Sequence, residues 1–538
     1  MGVATILRTM FPFTKFISII YFFFLNLGFN IALLFWKRRV VSRPTNDLIL
    51  IAATDAAAMI RNGEVQSVHF VQAYIDRMNE VDGVINAVVE DNFDDAIVKA
   101  KEVDAYIHAI DKTSDEYKNL AHTKPFLGVP FTTKDSVQVS GFRASAGIAS
   151  ALDNRPKENA DVINTMLDAG AIFLALTNVP EATFWSETFN TMFGRTNNPY
   201  DSRRSVGGSS GGEGAVLGAA ASVIGIGTDI GGSIRIPAIM NGVFGLKCSP
   251  GLISHNGIYP VNTSIYRKQM LSVGPMCRYA KDLAPLLRVL VGNDAADNKL
   301  KLGQRVPIKK CKFFYMEGLN TPLTEPLSSE VLGGLRKAVK YFETKYDIAV
   351  YKVDFPKAHH AAAMFHVSIT DRQVASITSL LTSGKGGLNP ISELIKCGYG
   401  TSKHTFPLMV FCLLDMLPDP PQETKDYIES KREQLRNEVI SLLGDNGVLL
   451  FPSWPTTAPP HYKNIGTYYN FLYTGLWNTL RLPALAVPMG LDNNGLPLSI
   501  QLIGAPHSEN MLIATANDLE EGFNGWTAPP GYPTYTLQ

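Results

Sequence analysis

One uninterrupted hydrophobic run dominates the N-terminal part of the chain. Residues 16–36 form a stretch of 21 residues without a charge, bounded by Lys15 and Lys37. A helix of this length spans about 30 Å, the thickness of the hydrocarbon core of a bilayer. The run is longer than the roughly 7–15 residues of a signal-peptide core. The pattern predicts a retained transmembrane helix over 16–36 after an N-terminal tail over 1–15. A cleaved signal peptide and a buried core helix are the alternatives.

Two basic side chains precede this run and four follow it within seven residues. The positive-inside rule therefore favours a cytosolic body, but only by a small excess of charge. We expect a single-pass membrane protein, placed in the endoplasmic reticulum or another internal membrane.

From residue 44 onward, short apolar runs alternate with helical patterns. Val68, Val71, Ile75 and Met78 recur at helical spacing, which predicts a helix from 44 to about 80 with Ser67 as a candidate N-cap. An alanine-rich helix is predicted from about 213 to 221. Four runs are typical of buried strands: residues 126–133, 171–176, 223–227 and 448–451.

This alternation indicates an α/β fold whose β-sheet is covered by helices on both faces. Polar stretches with proline lie at 318–328 and 417–424, and strand–helix alternation resumes after each. We interpret them as surface connections, so that residues 44–538 form one large domain.

Composition excludes several classes of protein. Lys+Arg and Asp+Glu both number 49, so the net charge is 0 and the usual electrostatic footprint of a nucleic-acid-binding protein is missing. Five scattered cysteines without a CxxC pair argue against a disulfide scaffold and a cysteine zinc site. His359, His360 and His366 lie close together, but no H-E-x-x-H or set of acidic ligands accompanies them. We therefore predict no metal and no cofactor.

Two glycine-rich segments, at 207–214 and 225–235, carry the candidate chemistry. Glycine lets a backbone approach a ligand closely or present its N–H groups. Gly231-Gly232-Ser233 would place a hydroxyl beside converging amides, as an oxyanion hole requires. A P-loop would need Lys-Ser/Thr after the glycines, and a dinucleotide fingerprint would need a strand before them, which 205–208 does not resemble. Purely structural glycine loops remain the alternative from these residues alone.

Taken with other segments, the glycine-rich region resembles the amidase signature family. The segments that carry the resemblance are 128–135, 177–181, 207–235, 245–247 and 482–501. The similarity extends over roughly residues 50 to 525. Within the family, the membrane helix and the G-G-S-S-G-G-E-G-A form are most similar to fatty-acid amide hydrolases, and among those to the second type.

The resemblance implies the amidase-signature fold, with a large central mixed β-sheet. It implies a membrane-bound serine hydrolase that cleaves N-acylethanolamines and primary fatty amides to a fatty acid and an amine. Its partners would be the lipid amide and the membrane, and we expect no nucleic acid. The sequence is also compatible with a homodimer. An amidase for another amide or ester, the glutaminase component of an amidotransferase and a catalytically inactive lipid-amide-binding homologue are the alternatives. The membrane helix argues against the amidotransferase.

The resemblance assigns a catalytic Ser–Ser–Lys triad. Ser233 is the nucleophile, Ser209 the bridging serine after a cis peptide bond, and Lys134 the base. A serine hydroxyl is a weak nucleophile until a base takes its proton. Burial can lower the pKa of a lysine from about 10.4 by several units. We expect a neutral Lys134 to draw a proton through Ser209 while Ser233 forms an acyl-enzyme, which water then hydrolyses.

Further residues are placed around this triad. The resemblance implies oxyanion donors from the backbones of Ile230, Gly231, Gly232 and Ser233. It implies a backbone contact to substrate at Thr183 and an aromatic wall of the acyl passage at Phe184. Ser210 is grouped with these binding residues, with support of the loop as its alternative role. We expect Thr228, Asp229 and Arg235 to brace the loop.

A second apolar stretch, residues 406–417, is too short to cross a bilayer. A monotopic helix through which lipid enters and a buried core helix are equally compatible with it. Five aromatic residues could line an acyl pocket or fill the core, and we expect most of them to fill the core: Tyr468, Tyr469, Phe471, Tyr473 and Trp477.

Overall fold

A central sheet of eleven strands organises the computed structural model, which describes residues 3–261, 263–371 and 376–529. Residues 1–2 of the predicted tail and 530–538 of the predicted domain lie outside the described residues. In chain order the strands are β1 (Val88–Asp91), β2 (Pro130–Lys134), β3 (Ile172–Thr177), β4 (Ile224–Asp229), β5 (Phe244–Lys247), β6 (Ser272–Cys277), β7 (Lys312–Tyr315), β8 (Val350–Lys352), β9 (Gly447–Pro452), β10 (Ala484–Leu491) and β11 (Pro497–Ile503).

The sheet is mixed, with the spatial order β1-β3-β2-β4-β6-β5-β10-β11-β9-β7-β8. Strand β2 runs parallel to both β3 and β4, and β7 runs parallel to β8 and β9. The other neighbours are antiparallel. Because β2, β3 and β4 are parallel, their carboxyl ends meet at one edge of the sheet, where ligands bind in open α/β folds.

Helices cover both faces of this sheet. They are α1 (Val3–Phe35), α2 (Ala53–Asn62), α3 (Ser67–Ile85), α4 (Phe93–Ala109), α5 (Asp115–Thr123), α6 (Asp161–Asp168), α7 (Gly211–Gly218), α8 (Arg235–Asn241), α9 (Ile265–Met270), α10 (Leu283–Val291), α11 (Ser329–Tyr346), α12 (Ala361–Ile369), α13 (Ile377–Leu381), α14 (Pro390–Gly398), α15 (Phe406–Asp415), α16 (Gln422–Leu443), α17 (Lys463–Gly466), α18 (Leu472–Thr479) and α19 (Glu509–Phe523).

Alternate residues of the buried strands belong to two different hydrophobic clusters. Along β9, Val448 and Leu450 pack into one cluster, whereas Leu449 and Phe451 pack into the other. Successive side chains of a strand point to opposite faces, so each face of the sheet has its own core. The predicted α/β fold with a mixed sheet covered on both faces is confirmed.

The predicted helix over 44 to about 80 is wrong in its extent. Helix α2 ends at Gly63, whose φ of 78° is left-handed, and α3 starts only at Ser67. Glycine takes this conformation without a Cβ penalty, which makes it a common helix stop. The N-cap is Gln66 rather than Ser67, because the Ser67 hydroxyl donates a hydrogen bond to the carbonyl of Gly128 instead.

The short predicted strands are found with shifted bounds. Residues 171–176 are realised as β3, and 223–227 as β4. A short strand that sequence analysis did not expect, Asp201–Ser205, precedes the first glycine-rich segment and belongs to a separate two-stranded ribbon.

Helix α1 is longer than the predicted span. It runs from Val3 to Phe35, and Phe13–Phe35 is long and apolar enough to cross a membrane. Only about one residue in ten of its most apolar window is buried against the rest of the protein.

Candidate active site

Lys134 is the last residue of β2, at the edge where the three parallel strands end. Its side chain is fully buried. The amine Nζ lies 3.0 Å from Oγ of Ser209 and 2.7 Å from Oγ1 of Thr228. Thr228, expected to brace the loop, thus contacts the predicted base directly. The amine is held by two hydroxyl groups.

Burial determines the charge of this lysine. Desolvation lowers the pKa of Lys134 to about 7, and the carboxyl groups of Asp229 and Glu213 only partly oppose the shift. Burial also raises the pKa of Glu213 to about 8. Its two carboxyl oxygens accept hydrogen bonds from Thr177 at 2.7 Å and Thr132 at 2.9 Å. Near neutral pH, uncharged forms of both the amine and the acid are therefore accessible.

The two predicted serines stand on loops that are joined by the backbone. Ser209 is 2% exposed and follows a cis peptide bond from Gly208. The next amide, of Ser210, donates to the carbonyl of Ser233 at 3.0 Å. Ser233 is half-buried, and its hydroxyl has no hydrogen bond to any residue that the structure describes. Because Ser233 lines the cleft, its hydroxyl is available to a substrate there.

A buried ion pair shapes the loop that leads to Ser233. Nε of Arg235 donates to Oδ2 of Asp229 at 3.0 Å, and both side chains are fully buried. Arg235 also donates to Gln501 at 2.8 Å and to Asn478 at 2.6 Å. Although burial alone would raise it, the Arg235 guanidinium holds the pKa of Asp229 below its usual value. This network has the bracing geometry expected of Asp229 and Arg235.

The same ion pair changes the predicted set of oxyanion donors. The amide of Gly232 donates to Oδ1 of Asp229 at 2.7 Å, so this N–H is already engaged within the loop. Gly232 has a φ of 128°, and a Cβ there would lie 2.0 Å from the Thr474 hydroxyl. In the described part of the chain the amides of Ile230, Gly231 and Ser233 have no hydrogen-bond partner. These three remain able to bind an oxyanion.

A cleft opens in front of Ser233 and is lined mainly by apolar and aromatic side chains. The residues that line it are Thr183, Phe184, Trp185, Ser186, Gly208, Ile230, Gly231, Ser233, Ile236, Phe365, Ile369, Phe411, Tyr468 and Phe471. The cleft is open to solvent and has a volume of about 70 Å³. The structure thus brings Thr183 and Phe184 to the cleft. Ser210 is fully buried, is not among the lining residues, and serves the loop contact instead.

Sequence analysis considered part of this lining: Tyr468 and Phe471 for an acyl pocket, and the stretch that holds Phe411 for lipid entry. It missed Phe365, because no local pattern marks this residue as a neighbour of Ser233. Rings of Tyr468 and Phe411 lie 5.3 Å apart, and Tyr468 stacks on Trp185 at 6.0 Å. Glu213 was missed as well, although a lone acidic residue in a glycine- and alanine-rich segment is a visible signal.

The arrangement is suited to acyl transfer. It combines a free hydroxyl, a neighbouring amine with a lowered pKa, and a group of unengaged amides at one end of a cleft. Within the described residues, no group of three or more His, Cys, Asp or Glu side chains could hold a metal ion.

Comparison with known proteins gives concordant results. The Amidase family model matches residues 69–513. Fatty-acid amide hydrolase 2 of Homo sapiens is 38% identical over 494 residues, covering 90% of this chain and 92% of that protein. Fatty-acid amide hydrolase 2-A of Danio rerio is 38% identical over 502 residues, covering 92% and 93%.

Solved structures share the fold. A fatty acid amide hydrolase superposes with a TM-score of 0.69 at 21% identity, covering 88% of this chain and 85% of that one. A peptide amidase from Stenotrophomonas maltophilia superposes with a TM-score of 0.65 at 23% identity, covering 89% and 98%. At these identities the likeness concerns the fold.

Proposed function

Because this chain belongs to the amidase family and is an amide-hydrolysing enzyme, we propose that it cleaves fatty-acid amides with Ser233, Ser209 and Lys134 as its catalytic triad. The observation that carries the proposal is the 3.0 Å contact between the amine of the buried Lys134 and the hydroxyl of Ser209. A neutral amine in this position can accept a proton, which an ordinary lysine at neutral pH cannot.

The proposed reaction begins with proton transfer along the two serines. Nζ of Lys134 donates to Thr228, which leaves its lone pair for the Ser209 hydroxyl proton, and Ser209 in turn takes the proton of Ser233. Oγ of Ser233 attacks the amide carbonyl and forms a tetrahedral intermediate. Ser209 then returns a proton to the nitrogen, because an amine leaves only when it is protonated. Water releases the fatty acid from the acyl-enzyme by the same relay.

The negative charge of the intermediate would be bound by the amides of Ile230, Gly231 and Ser233. All three line the cleft and are free of other hydrogen bonds in the described residues. Removing one such donor typically costs about 10²–10³ in rate. Gly232 supports them through its bond to Asp229.

An acyl substrate of apolar character is supported by the cleft and by the relatives. The wall around Ser233 is formed largely by aromatic and aliphatic side chains. The rings of Phe411 and Tyr468 both line the cleft and lie 5.3 Å apart, so they form part of the proposed acyl wall.

Membrane association is supported by two apolar surfaces. Helix α1 presents most of its circumference to the outside. Helix α15 buries Leu408, Met409 and Cys412 but leaves Phe406 and Leu414 about half exposed. The 406–417 stretch thus has one face in the core and one exposed apolar face, and the exposed face supports the proposed contact with lipid. The internal-membrane compartment and the homodimer stay predictions from the sequence.

The test is a substrate panel on the full chain in membranes. Primary amides and N-acylethanolamines of short and long acyl chains are compared for the wild type, Ser233→Ala, Ser209→Ala and Lys134→Ala. Ser329→Ala, at an exposed position away from the site, is the matched control. A fluorophosphonate probe reports the nucleophile independently of the substrate.

We expect long-chain amides to give the highest kcat/KM, and Ser233→Ala to lose both turnover and labelling while Ser329→Ala keeps them. If the enzyme preferred a short or polar amide, the proposed substrate class would be wrong, while the proposed triad would stand. Turnover by Ser233→Ala would overturn the nucleophile. An unlabelled and inactive wild type would favour the inactive binding homologue.

A further inference from the structure

Helix α1 lies lengthwise on the catalytic body. Side chains with reduced exposure recur on one stripe of the helix at three- and four-residue spacing: Ser18, Phe22, Leu25, Asn26, Phe29, Ala32, Leu33 and Trp36. Phe22 is 4% and Leu33 8% exposed. A stripe with this period marks one face of a helix that is packed along its length.

Specific contacts hold this face in place. The Tyr21 hydroxyl donates to the carbonyl of Gly466 at 3.0 Å. A Cβ at Gly466 would lie 2.9 Å from the end of the Leu25 side chain, so the missing side chain allows the helix to approach closely. Nζ of Lys15 donates to Asn320 at 2.7 Å. At the other end, Arg203 donates to the carbonyl of Leu33 at 2.9 Å.

These contacts extend over nearly the whole apolar span. From Lys15 to Leu33 the helix rises about 27 Å, close to the hydrocarbon thickness of a bilayer. If α1 crossed the bilayer in this position, it would carry the irregular segment around Asn320 and the short helix α17 with Gly466 into the hydrocarbon. It would also carry the ion pair between Arg203 and Asp201, which are 2.7 Å apart. Bilayers do not accommodate irregular backbone exposed to lipid, and they tolerate charges poorly.

The remaining circumference of α1 is apolar and exposed. Ten large side chains on it are 42–82% exposed: Phe16, Ile17, Ile19, Ile20, Phe23, Phe24, Leu27, Ile31, Leu34 and Phe35. A surface of this size needs an apolar environment, and lipid hydrocarbon provides one along the full length of the helix.

We propose that α1 embeds in one leaflet parallel to the membrane plane while its inner stripe stays docked on the body. The N-terminus and the catalytic domain then lie on the same side of the membrane. This inference rests on the membrane association proposed above and replaces the crossing that length and composition alone predict.

The surface on which α1 is docked, around Tyr462 and Gly466, also connects the embedded helix with the cleft. Trp36 of the chain packs edge-on against Tyr462 at 6.5 Å, and Gly466 receives the middle of α1. Two residues further on, Tyr468 lines the cleft in front of Ser233. A lipid amide in the leaflet that holds α1 would therefore lie close to the entrance of the site.

Disulfide trapping tests whether α1 is docked in membranes. The full chain with Leu25→Cys and Gly466→Cys is oxidised in native vesicles, because the Leu25 side chain reaches to 2.9 Å from a Cβ added at Gly466 and a disulfide forms only between residues that are this close. Leu27→Cys with Gly466→Cys is the matched control, since residue 27 lies on the exposed face. We expect an intramolecular cross-link in the first pair and a loss of it in the control. Failure of the first pair to cross-link would overturn the docked position.

Topology is tested in sealed vesicles with one tag before residue 1 and another after residue 538. Protease added outside should remove both tags or neither, because both termini lie on one side. Removal of only one tag would show that α1 crosses the bilayer and would refute the inference while leaving membrane association intact. Recovery of the protein in the soluble fraction would instead refute membrane association itself. A cross-link between two chains through Phe24→Cys would show that a second copy, rather than lipid, covers the exposed face.

Discussion

The charge state of Lys134 gives the sharpest prediction, which concerns the dependence of kcat/KM on pH. Burial lowers the pKa of Lys134 to about 7, so the amine needed for the proton relay is present at neutral pH. Acidification protonates it and should abolish the relay. We expect activity that is constant above about pH 8 and falls with a slope of one below pH 7.

The magnitude follows from the titration of one group. With a pKa of about 7, the neutral fraction is about 90% at pH 8, about 50% at pH 7 and about 10% at pH 6. The expected loss between pH 8 and pH 6 is therefore about tenfold. A solvent-exposed lysine with a pKa of about 10.4 would instead make the rate rise steadily through pH 9.

The assay uses an uncharged short-chain amide, so that the profile of kcat/KM reports the free enzyme alone. Other titratable groups lie near the site, among them Asp229, Glu213 and His366. Asp229 keeps a pKa below its usual value, burial raises that of Glu213 to about 8, and burial lowers that of His366, which stands beside Tyr468. His366→Gln is the control for the last of these. If the acid limb disappeared in His366→Gln, or if the rate still rose tenfold per unit at pH 9, the assignment of Lys134 would be refuted.

Three further predictions concern the surroundings of this amine. Glu213→Gln should move the midpoint of the acid limb only slightly, and to lower pH, because a pKa of about 8 leaves the Glu213 carboxyl mostly protonated there and only its ionised form raises the pKa of Lys134. Lys134→Met should be inactive yet more stable in urea by roughly 1–2 kcal/mol at pH 8. The pKa of Lys134 is lower in the folded than in the unfolded wild type, so the stability of the wild type rises with pH between about pH 7 and 10.4. Below this range's upper end, folding must deprotonate the lysine, and methionine removes that free-energy cost. Gly225→Ala should destabilise the fold by more than about 1 kcal/mol, because its Cβ would lie 1.9 Å from a carboxyl oxygen of Glu213.

Each of these has its own control. Gly333→Ala, in a helix with no neighbour within 4 Å of the added Cβ, should be neutral or stabilising. A Gly225→Ala variant as stable as Gly333→Ala would contradict the packing around Glu213. A midpoint that moved to higher pH, or by a full unit or more, in Glu213→Gln would contradict a mostly protonated carboxyl beside the base. A stability difference for Lys134→Met that does not grow from pH 9 to pH 8 would contradict a buried neutral amine.

The sequence predicted the elements whose signal is local. Residues 171–176 and 448–451 are apolar at every position because both faces of their strands are buried, so they could be identified as strands directly. The break at Gly63 was missed because a helical pattern continues on both sides of it.

The residues of the site likewise fall into those that a local motif predicts and those that only the fold brings together. Lys134, Ser209 and Ser233 could be named because each lies in a dense motif, and the structure places Lys134 against Ser209. The engagement of the Gly232 amide by Asp229 depends on how the loop folds back on itself, which spacing does not reveal. The cleft wall is assembled from segments such as 365–369 and 468–471, more than a hundred residues from the serines, so no pattern near them announces it.

The composition of that wall also bears on which amides the enzyme can discriminate. None of the described side chains that line the cleft carries a formal charge, and the amine behind them is largely neutral in the active state. A zwitterionic amide such as glutamine would have to leave the solvation of its ammonium and carboxylate groups without any countercharge to replace it. Such a cleft excludes charged substrates before it discriminates by shape, because the cost of desolvation alone disfavours amino-acid amides relative to lipid amides.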